Sequence, residues 1–114
     1  MAVTLVEKYN PKWPEWFQEI KAFFGNRISA SCIRIEHVGS TSIPGMIAKP
    51  IIDLIIVIET GSFPKMKKLL EERGYSHKGD QGIQGREVFK LTDESTQKAL
   101  PEHIFTYVLR TIKN

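Results

Sequence analysis

A glycine and three hydroxyl residues follow a predicted strand, and an aspartate lies a short distance beyond them. These residues are Gly39, Ser40, Thr41, Ser42 and Asp53. Because glycine has no Cβ, a phosphate group can approach the backbone there, and the hydroxyls and nearby backbone N–H groups can donate hydrogen bonds to it. Asp53 interrupts an apolar run, where a carboxylate is costly unless a cation or a hydrogen-bond donor meets it. This pattern predicts a site for a phosphorylated ligand, with magnesium (Mg2+) held by Asp53.

Four charged or titratable residues outside this group could also contact a phosphate. Lys49 could neutralise phosphate charge as a point donor, and Arg86 could form bidentate hydrogen bonds, although each could equally be a solvated charge. His37 lies just before the loop and could contact phosphate or act as an acid or base. It could equally be hydrogen-bonded beneath the loop, and His103 has the same two interpretations.

The structural alternative for the central aspartate is a pairing within the protein. Asp53 could be paired with Arg34, with Lys49 or with backbone amides. Gly-Ser-Thr-Ser is also a common loop composition, and short motifs often match by chance. Under this interpretation the loop binds no ligand.

The loop and Asp53 are predicted to lie between strands of a β-sheet. Apolar patterns predict four strands, over residues 31–38, 51–58, 87–91 and 103–109. Helical spacing predicts one helix that starts near Pro14 and ends at residues 25–26, and a second over residues 62–74. This order favours an α+β fold in which helices pack on one small mixed or antiparallel sheet.

Three further segments have no single predicted structure. Residues 3–6 could form a short strand or an extended arm, residues 75–85 a loop or a hairpin, and residues 93–100 a polar connection. In the last predicted strand, alternation places four side chains on one face: His103, Phe105, Tyr107 and Leu109.

The composition excludes several classes of protein. With 114 residues, the chain fits a single domain over residues 1–114. Cys32 is the only cysteine, so an internal disulfide is excluded. No apolar run reaches the ~18 residues of a membrane span and no signal-peptide pattern is present, so we expect a cytoplasmic protein that does not enter the membrane. The net charge of +3 suits an anionic small molecule or RNA and requires neither.

Two blocks of sequence carry a family resemblance. Residues 36–45 (EHVGSTSIPG) and 48–53 (AKPIID) closely resemble the GrpB family. Further matches extend the resemblance to about residues 6–110, at residues 9–14, 74–75, 82–86 and 101–107. The resemblance implies a nucleotidyltransferase-like fold, in which a Gly-Ser pair after the first strand and acidic residues on the next strand hold metal and triphosphate. GrpB domains also occur fused to dephospho-coenzyme A kinase, which gives the family an accessory name without a settled activity.

The sequence departs from that superfamily at the second carboxylate. Side chains alternate along a strand, so the second carboxylate is expected two residues after Asp53, and this position is Ile55. Glu36, Glu102 or His103 could contribute a metal ligand from neighbouring strands. Similar proteins usually continue past the last strand into a helical segment, so the chain is expected to be short at its C-terminus, and a homodimer could cover the exposed sheet.

The leading functional interpretation is a nucleotidyltransferase-like domain that binds a nucleotide or another phosphorylated small molecule. Residues 39–42 (the Gly-Ser-Thr-Ser loop) would hold phosphate, and Asp53 would hold magnesium. Residual nucleotidyl transfer would use Asp53 and His37 as catalytic residues. The alternative is a non-catalytic accessory or protein-interaction domain with a degenerate site, which Ile55 favours. RNA binding through the basic surface is a third and weaker hypothesis.

Overall fold

Helices and strands alternate along the part of the chain that the computed structural model describes, residues 5–111. The helices are α1 (Trp13–Ala30), α2 (Phe63–Glu72) and α3 (Glu94–Ala99). The strands are β1 (Arg34–Val38), β2 (Asp53–Glu59), β3 (Tyr75–His77), β4 (Arg86–Leu91) and β5 (Phe105–Thr111). All five strands form one sheet in the order β1-β2-β5-β4-β3. The predicted α+β class with a mixed sheet is therefore confirmed.

The centre of the sheet is a parallel pair. Strand β2 lies parallel to β5, with Leu54 opposite Thr106, whereas the other three strand pairs are antiparallel. Val38 at the end of β1 lies opposite Asp53 at the start of β2. This register brings the Gly-Ser-Thr-Ser loop, which follows β1, to the same end of the sheet as Asp53.

The aromatic stripe of α1 lies in the core, as its spacing predicts. Trp13, Phe17 and Phe24 are buried, and they belong to one apolar cluster with residues of α2 and of the sheet. The predicted end of the first helical segment at residues 25–26 is confirmed by a break at Gly25, and a further helical turn follows it. Gly25 adopts φ +80°, which glycine tolerates, and helical structure resumes as far as Ala30. Ile28 in the resumed turn is buried in the same cluster, which explains why the chain continues as a helix.

The two faces of the sheet have different surroundings. One face packs against α1 and α2 and presents Leu54, Ile56 and Val108 to the core. On the other face, alternation places Asp53 and Ile55 on β2 and Phe105 and Tyr107 on β5. None of these four residues belongs to the core cluster of the described chain. We call this surface the open face.

Several predicted boundaries are corrected by the structure. The segment 75–85 contributes β3 and forms a hairpin with β4, and the segment 93–100 contains α3. The Asp93 side chain caps α3 by accepting a hydrogen bond from the Thr96 N–H (2.9 Å), so this segment is more than a polar connection. Strands β1, β2 and β5 each begin two to three residues later than predicted.

The N-terminal arm reaches the segment that leads into β2. Glu7 and Ala48 form a β-bridge, with N···O distances of 2.8 and 3.0 Å. Residues 3 and 4 of the predicted strand or arm lie outside the described residues. Within residues 5–111, no helix has the length and apolar character needed to cross a membrane.

Candidate functional site

A tight turn closes the end of β1. Gly39 adopts φ +77° and ψ −171°, a conformation that is essentially restricted to glycine, and residues Ser40–Ser42 then form one turn of 3₁₀ helix. The turn is fixed from within, because the Ser42 N–H and hydroxyl both donate to the Gly39 carbonyl. The loop is therefore a defined structure at the edge of the open face.

Gly39 and Asp53 are packed against each other. A Cβ placed on Gly39 would lie 2.6 Å from Oδ2 of Asp53, so a larger residue at position 39 would displace this carboxylate. Glycine is therefore required here for two separate reasons, its backbone conformation and its close approach to Asp53.

The Asp53 carboxylate has no partner among residues 5–111. No described group donates a hydrogen bond to it or forms an ion pair with it. Arg34, one of the partners considered from the sequence, pairs instead with Glu36 at 2.8 Å. Asp53 is also half-buried, and burial raises the pKa of its carboxyl group. An ionised carboxylate at this position is therefore short of compensating positive charge.

A cleft of about 300 Å³ opens beside this carboxylate. Its lining residues come from the loop, the segment before β2, and the start of β5: Ser40, Thr41, Lys49, Ile51, Asp53, Ile104 and Phe105. One wall carries a carboxylate, and another part of the lining carries the ammonium group of Lys49. The cleft thus combines one anionic and one cationic group with hydroxyls and apolar side chains.

The loop groups differ in their availability to a ligand. The hydroxyl of Ser40 and the backbone N–H groups of Ser40 and Thr41 form no hydrogen bond with the described residues. The Ser42 hydroxyl is used to hold the turn. Thr41 is 2% exposed, and its hydroxyl lies 2.8 Å from Nε2 of His37. Ser40 is therefore the loop hydroxyl that can contact a ligand without rearrangement.

His37 lies behind the loop, on the opposite side of the sheet from Asp53. Its ring stacks on Phe17 of α1, with centroids 5.1 Å apart and an interplanar angle of 12°. Its Nε2 contacts the Thr41 hydroxyl. The structure does not bring the two predicted catalytic residues together, because β1 alternation turns the His37 and Asp53 side chains to opposite faces. The geometry agrees with the other interpretation, a histidine hydrogen-bonded beneath the loop.

Two partly or fully desolvated histidines, His37 and His103, make the stability of the protein sensitive to acid. Burial lowers the pKa of both His37 and His103 from 6.5, because the charged ring is desolvated. The unfolded chain then binds protons more tightly than the folded protein. We expect the free energy of unfolding to fall below about pH 6.5, by at most ~1.4 kcal/mol per pH unit for each histidine.

Urea unfolding at a series of pH values measures this effect. In a His37→Gln variant, the free energy of unfolding should still fall with decreasing pH, but only by the amount that His103 causes. A free energy of unfolding that stays constant in wild type between about pH 7.5 and 5.5 would contradict the prediction.

The additional metal ligands considered from the sequence do not converge on Asp53. His103 is 5% exposed, and its ring nitrogens contact the Tyr75 hydroxyl at 2.6 Å and the Pro101 carbonyl at 2.8 Å. Glu102 lines a different cleft, formed between α3 and the segment before β5. No group of three or more His, Cys, Asp or Glu side chains within residues 5–111 could hold a metal ion.

A bend at Ile104 explains the position of His103. The sequence predicts a regular strand that begins at His103, with His103 and Phe105 on one face. The strand instead begins at Phe105, and the bend turns His103 towards the core and Phe105 towards the open face. Strand alternation predicts side-chain direction only where the strand is continuous.

Arg86, a predicted phosphate or nucleotide contact, does not line the cleft beside Asp53. Its guanidinium carbon lies 5.2 Å from the centroid of the Tyr107 ring, and one of its terminal nitrogens lies 3.4 Å from the Asp80 carbonyl. It lines a second hollow of about 150 Å³ together with Gln81, Val88, Phe105 and Tyr107. Phe105 is shared by the two hollows.

Phe105 and Tyr107 are the site residues that sequence reasoning did not identify. Alternation already placed them on one face of the last strand. The sequence does not determine that this strand pairs with β2, and so that Phe105 lies beside Asp53. Complementary apolar patterns on strands β2 and β5 are the only local hint of that pairing.

Comparison with known proteins identifies relatives of this chain. A model of the family described as GrpB protein matches residues 3–112. The chain is 42% identical over 87 residues to the UPF0157 protein YqkA of Bacillus subtilis, an alignment that covers 72% of this chain and 24% of that protein. It is 34% identical over 105 residues to the glutamate-rich protein GrpB of Alkalihalophilus pseudofirmus, covering 87% of this chain and 59% of the relative.

A solved structure shows the same arrangement of elements. The chain is similar to the crystal structure of the conserved protein GrpB from Enterococcus faecalis, with a TM-score of 0.73 and 28% sequence identity. The match covers 93% of this chain and 61% of that one. The chain thus spans about three fifths or less of the length of these relatives. The family match over nearly the whole chain and the shared fold show that this chain belongs to the GrpB family.

Proposed function

We propose that this chain binds a nucleotide or another phosphorylated small molecule in the cleft beside Asp53, as a nucleotidyltransferase-like domain. The observation that carries the proposal is the half-buried Asp53 carboxylate, which has no partner among the described residues and packs against Gly39. An unpaired carboxylate at a cleft wall costs stability, and a bound cation compensates it.

The groups around the carboxylate suit a phosphate chain. The Ser40 hydroxyl and the N–H groups of Ser40 and Thr41 are free to donate hydrogen bonds to phosphate oxygens. Lys49 lines the same cleft and forms no ion pair with a described residue, so its ammonium group can neutralise phosphate charge. A ligand that brings both phosphate and a cation would satisfy all of these groups together.

The donor set fits a magnesium ion that enters with the ligand. Magnesium in nucleotide sites is commonly held by one or two carboxylates, with substrate phosphates and waters supplying the other oxygens. Asp53 would be the protein ligand, and the ion would neutralise phosphate charge. A metal site built from protein side chains alone has no support within residues 5–111.

Binding is better supported than catalysis. Ile55 occupies the next position on the same strand face, and its strand neighbours are Glu36 on β1 and Tyr107 on β5. A two-metal clamp on attacking and leaving oxygens needs further carboxylates at this point, and Glu36 is paired with Arg34. Any residual nucleotidyl transfer would depend on positioning and on neutralisation of phosphate charge by Lys49 and by the magnesium ion that Asp53 would hold.

Calorimetric titration tests the proposal. We expect wild-type protein to release or absorb heat with magnesium-ATP or another magnesium nucleotide, and Asp53→Ala to weaken binding at least about tenfold. The control is Glu19→Gln, which removes a carboxylate from the exposed side of α1 and should leave affinity unchanged. No heat with any nucleotide at high micromolar protein, or unchanged binding by Asp53→Ala, would refute the proposal.

The second candidate is a non-catalytic accessory or protein-interaction domain. The observation that favours it is Ile55, which is apolar where the superfamily carries a carboxylate. In this case the open face would contact another protein, and no magnesium-dependent nucleotide binding would be found at the cleft. The same titrations therefore separate the two candidates.

A further inference from the structure

Two aromatic side chains on the open face continue the cleft that contains Asp53. Phe105 and Tyr107 are successive outward residues of β5, and their ring centroids are 6.4 Å apart. Phe105 is 37% exposed, which is high for a large aromatic residue in a sheet. It lines the cleft beside Asp53 and also the smaller hollow that contains Tyr107 and Arg86. The two hollows therefore meet at Phe105.

The sheet register sets the distance between the charged and aromatic parts of this surface. Leu54 is paired with Thr106, so Asp53 and Phe105 precede that pair on adjacent strands. Adjacent strands lie ~4.8 Å apart, and Tyr107 is ~6.6 Å further along β5. An anionic group at Asp53 and a flat ring on Phe105 can therefore belong to one small molecule.

Arg86 adds hydrogen-bond donors at the far end of the aromatic pair. Its guanidinium lies over the Tyr107 ring, which fixes its orientation by a cation–π contact. Its Nε is buried and has no hydrogen-bond partner among the described residues. This buried Nε is out of reach of a ligand, and the terminal N–H groups of Arg86, which lines the hollow beside Tyr107, are the donors that can meet acceptor atoms such as those at the edge of a nucleobase.

We propose that Phe105, with Tyr107 beside it, forms a stacking shelf for the base of a nucleotide whose phosphates lie at Ser40 and Asp53. The inference rests on the proposed function and narrows it. The ligand is a nucleotide, rather than a sugar phosphate or an inorganic polyphosphate. Arg86 then contacts the edge of the base and does not contact the phosphates.

The charges around the shelf distinguish a small heterocycle from a second copy of the chain. Asp53 and Lys49 lie at one end of the shelf, Arg86 lies at the other, and Lys90 is opposite Phe105 on β4. A protein interface would bury these charges, whereas interface centres are depleted of charged residues. A nucleotide would cover the aromatic rings. The surrounding charged side chains would then contact its phosphates, the edge of its base, or water.

The test compares magnesium-ATP with magnesium-tripolyphosphate by calorimetry on the whole chain. Stacking of one base on an aromatic side chain is worth about tenfold in affinity, so wild type should bind ATP roughly tenfold more tightly than tripolyphosphate. Phe105→Leu and Tyr107→Leu keep apolar bulk on the strand and should remove most of this preference. Tyr107→Leu, which lies outside the cleft beside Asp53, should keep the wild-type affinity for tripolyphosphate, and Phe105→Leu should weaken ATP binding more than tripolyphosphate binding.

The control is Phe23→Leu, which changes an aromatic residue of α1 that packs on the core from the other side of the sheet. It should retain the full preference for ATP. Equal affinity of wild type for both ligands, or equal weakening of both by Phe105→Leu, would overturn the shelf while leaving phosphate binding intact. If wild type binds neither ligand nor any other nucleotide, the proposed function fails and the shelf fails with it.

Discussion

Replacing Gly39 by alanine is expected to lower the free energy of unfolding by about 3–4 kcal/mol. Two costs combine in this variant. The backbone at position 39 has φ +77° and ψ −171°, which side chains with a Cβ rarely adopt. The new methyl group would also lie 2.6 Å from the Asp53 carboxylate, so that either the loop or Asp53 must move. Urea unfolding measures the loss, and ligand binding at the cleft should be lost in the same variant.

Gly45→Ala is the matched control for this substitution. Gly45 also has a positive φ, +83°, but a Cβ there would have nothing within 4 Å. Gly45→Ala should therefore lower the free energy of unfolding only through backbone strain, by about 1–2 kcal/mol. Adding Asp53→Ala to Gly39→Ala should recover the steric part of the loss, because the two sites share one contact. Equal destabilisation by Gly39→Ala and Gly45→Ala would show that the contact with Asp53 has no energetic weight.

Replacing Asp53 by asparagine is expected to move stability and ligand binding in opposite directions. Burial raises the pKa of Asp53, so the folded protein holds the proton more tightly than the unfolded chain does. The ionised form therefore destabilises the folded state at neutral pH. Asparagine removes that charge and should raise the melting temperature by roughly 2–5 °C, while magnesium-nucleotide affinity falls at least about tenfold.

The pH dependence of this effect follows from the direction of the pKa shift. The destabilisation is present above the folded-state pKa of Asp53 and disappears as the pH falls towards 3.8, the value in the unfolded chain. The stability advantage of Asp53→Asn should therefore shrink in acid. Asp93→Ala is a control that should lower the stability at neutral pH. Hydrogen bonds from Thr96 lower the pKa of Asp93, and its ionised carboxylate caps α3. A decrease in melting temperature on Asp53→Asn would assign Asp53 a structural role.

The parts of the site that lie close together in sequence could be predicted from the sequence. The Gly-Ser-Thr-Ser loop and the interrupted apolar run at Asp53 are local signals, and each depends on only a few neighbouring residues. Their juxtaposition also follows, since β1 and β2 are consecutive antiparallel strands. The α+β class follows in the same way from helical and strand spacings along the chain.

The parts that depend on distant pairing or on a local bend could not be predicted. Nothing near Phe105 indicates that it lies beside Asp53, because β2 and β5 are paired only by the tertiary fold. Regular alternation predicts that His103 shares a face with Phe105. The bend at Ile104 interrupts this alternation, so the two side chains lie on different faces. The face of His37 follows from its register opposite Leu54, and that register is fixed by burial of Leu54 in the core.

The position of β5 in the sheet has a consequence for how the nascent chain folds. β5 follows β2 and β4 in the sequence but lies between them in space. Before β5 has been synthesised, the chain can form only two separate hairpin-like units, β1–β2 and β3–β4, each with an exposed apolar edge. Such edges are templates for aggregation. The pairing of β5 with β2, which completes the sheet, joins residues about fifty positions apart in the sequence. Loss of the seven residues of β5 would therefore separate β1–β2 from β3–β4, whereas loss of β3 would remove only an edge strand.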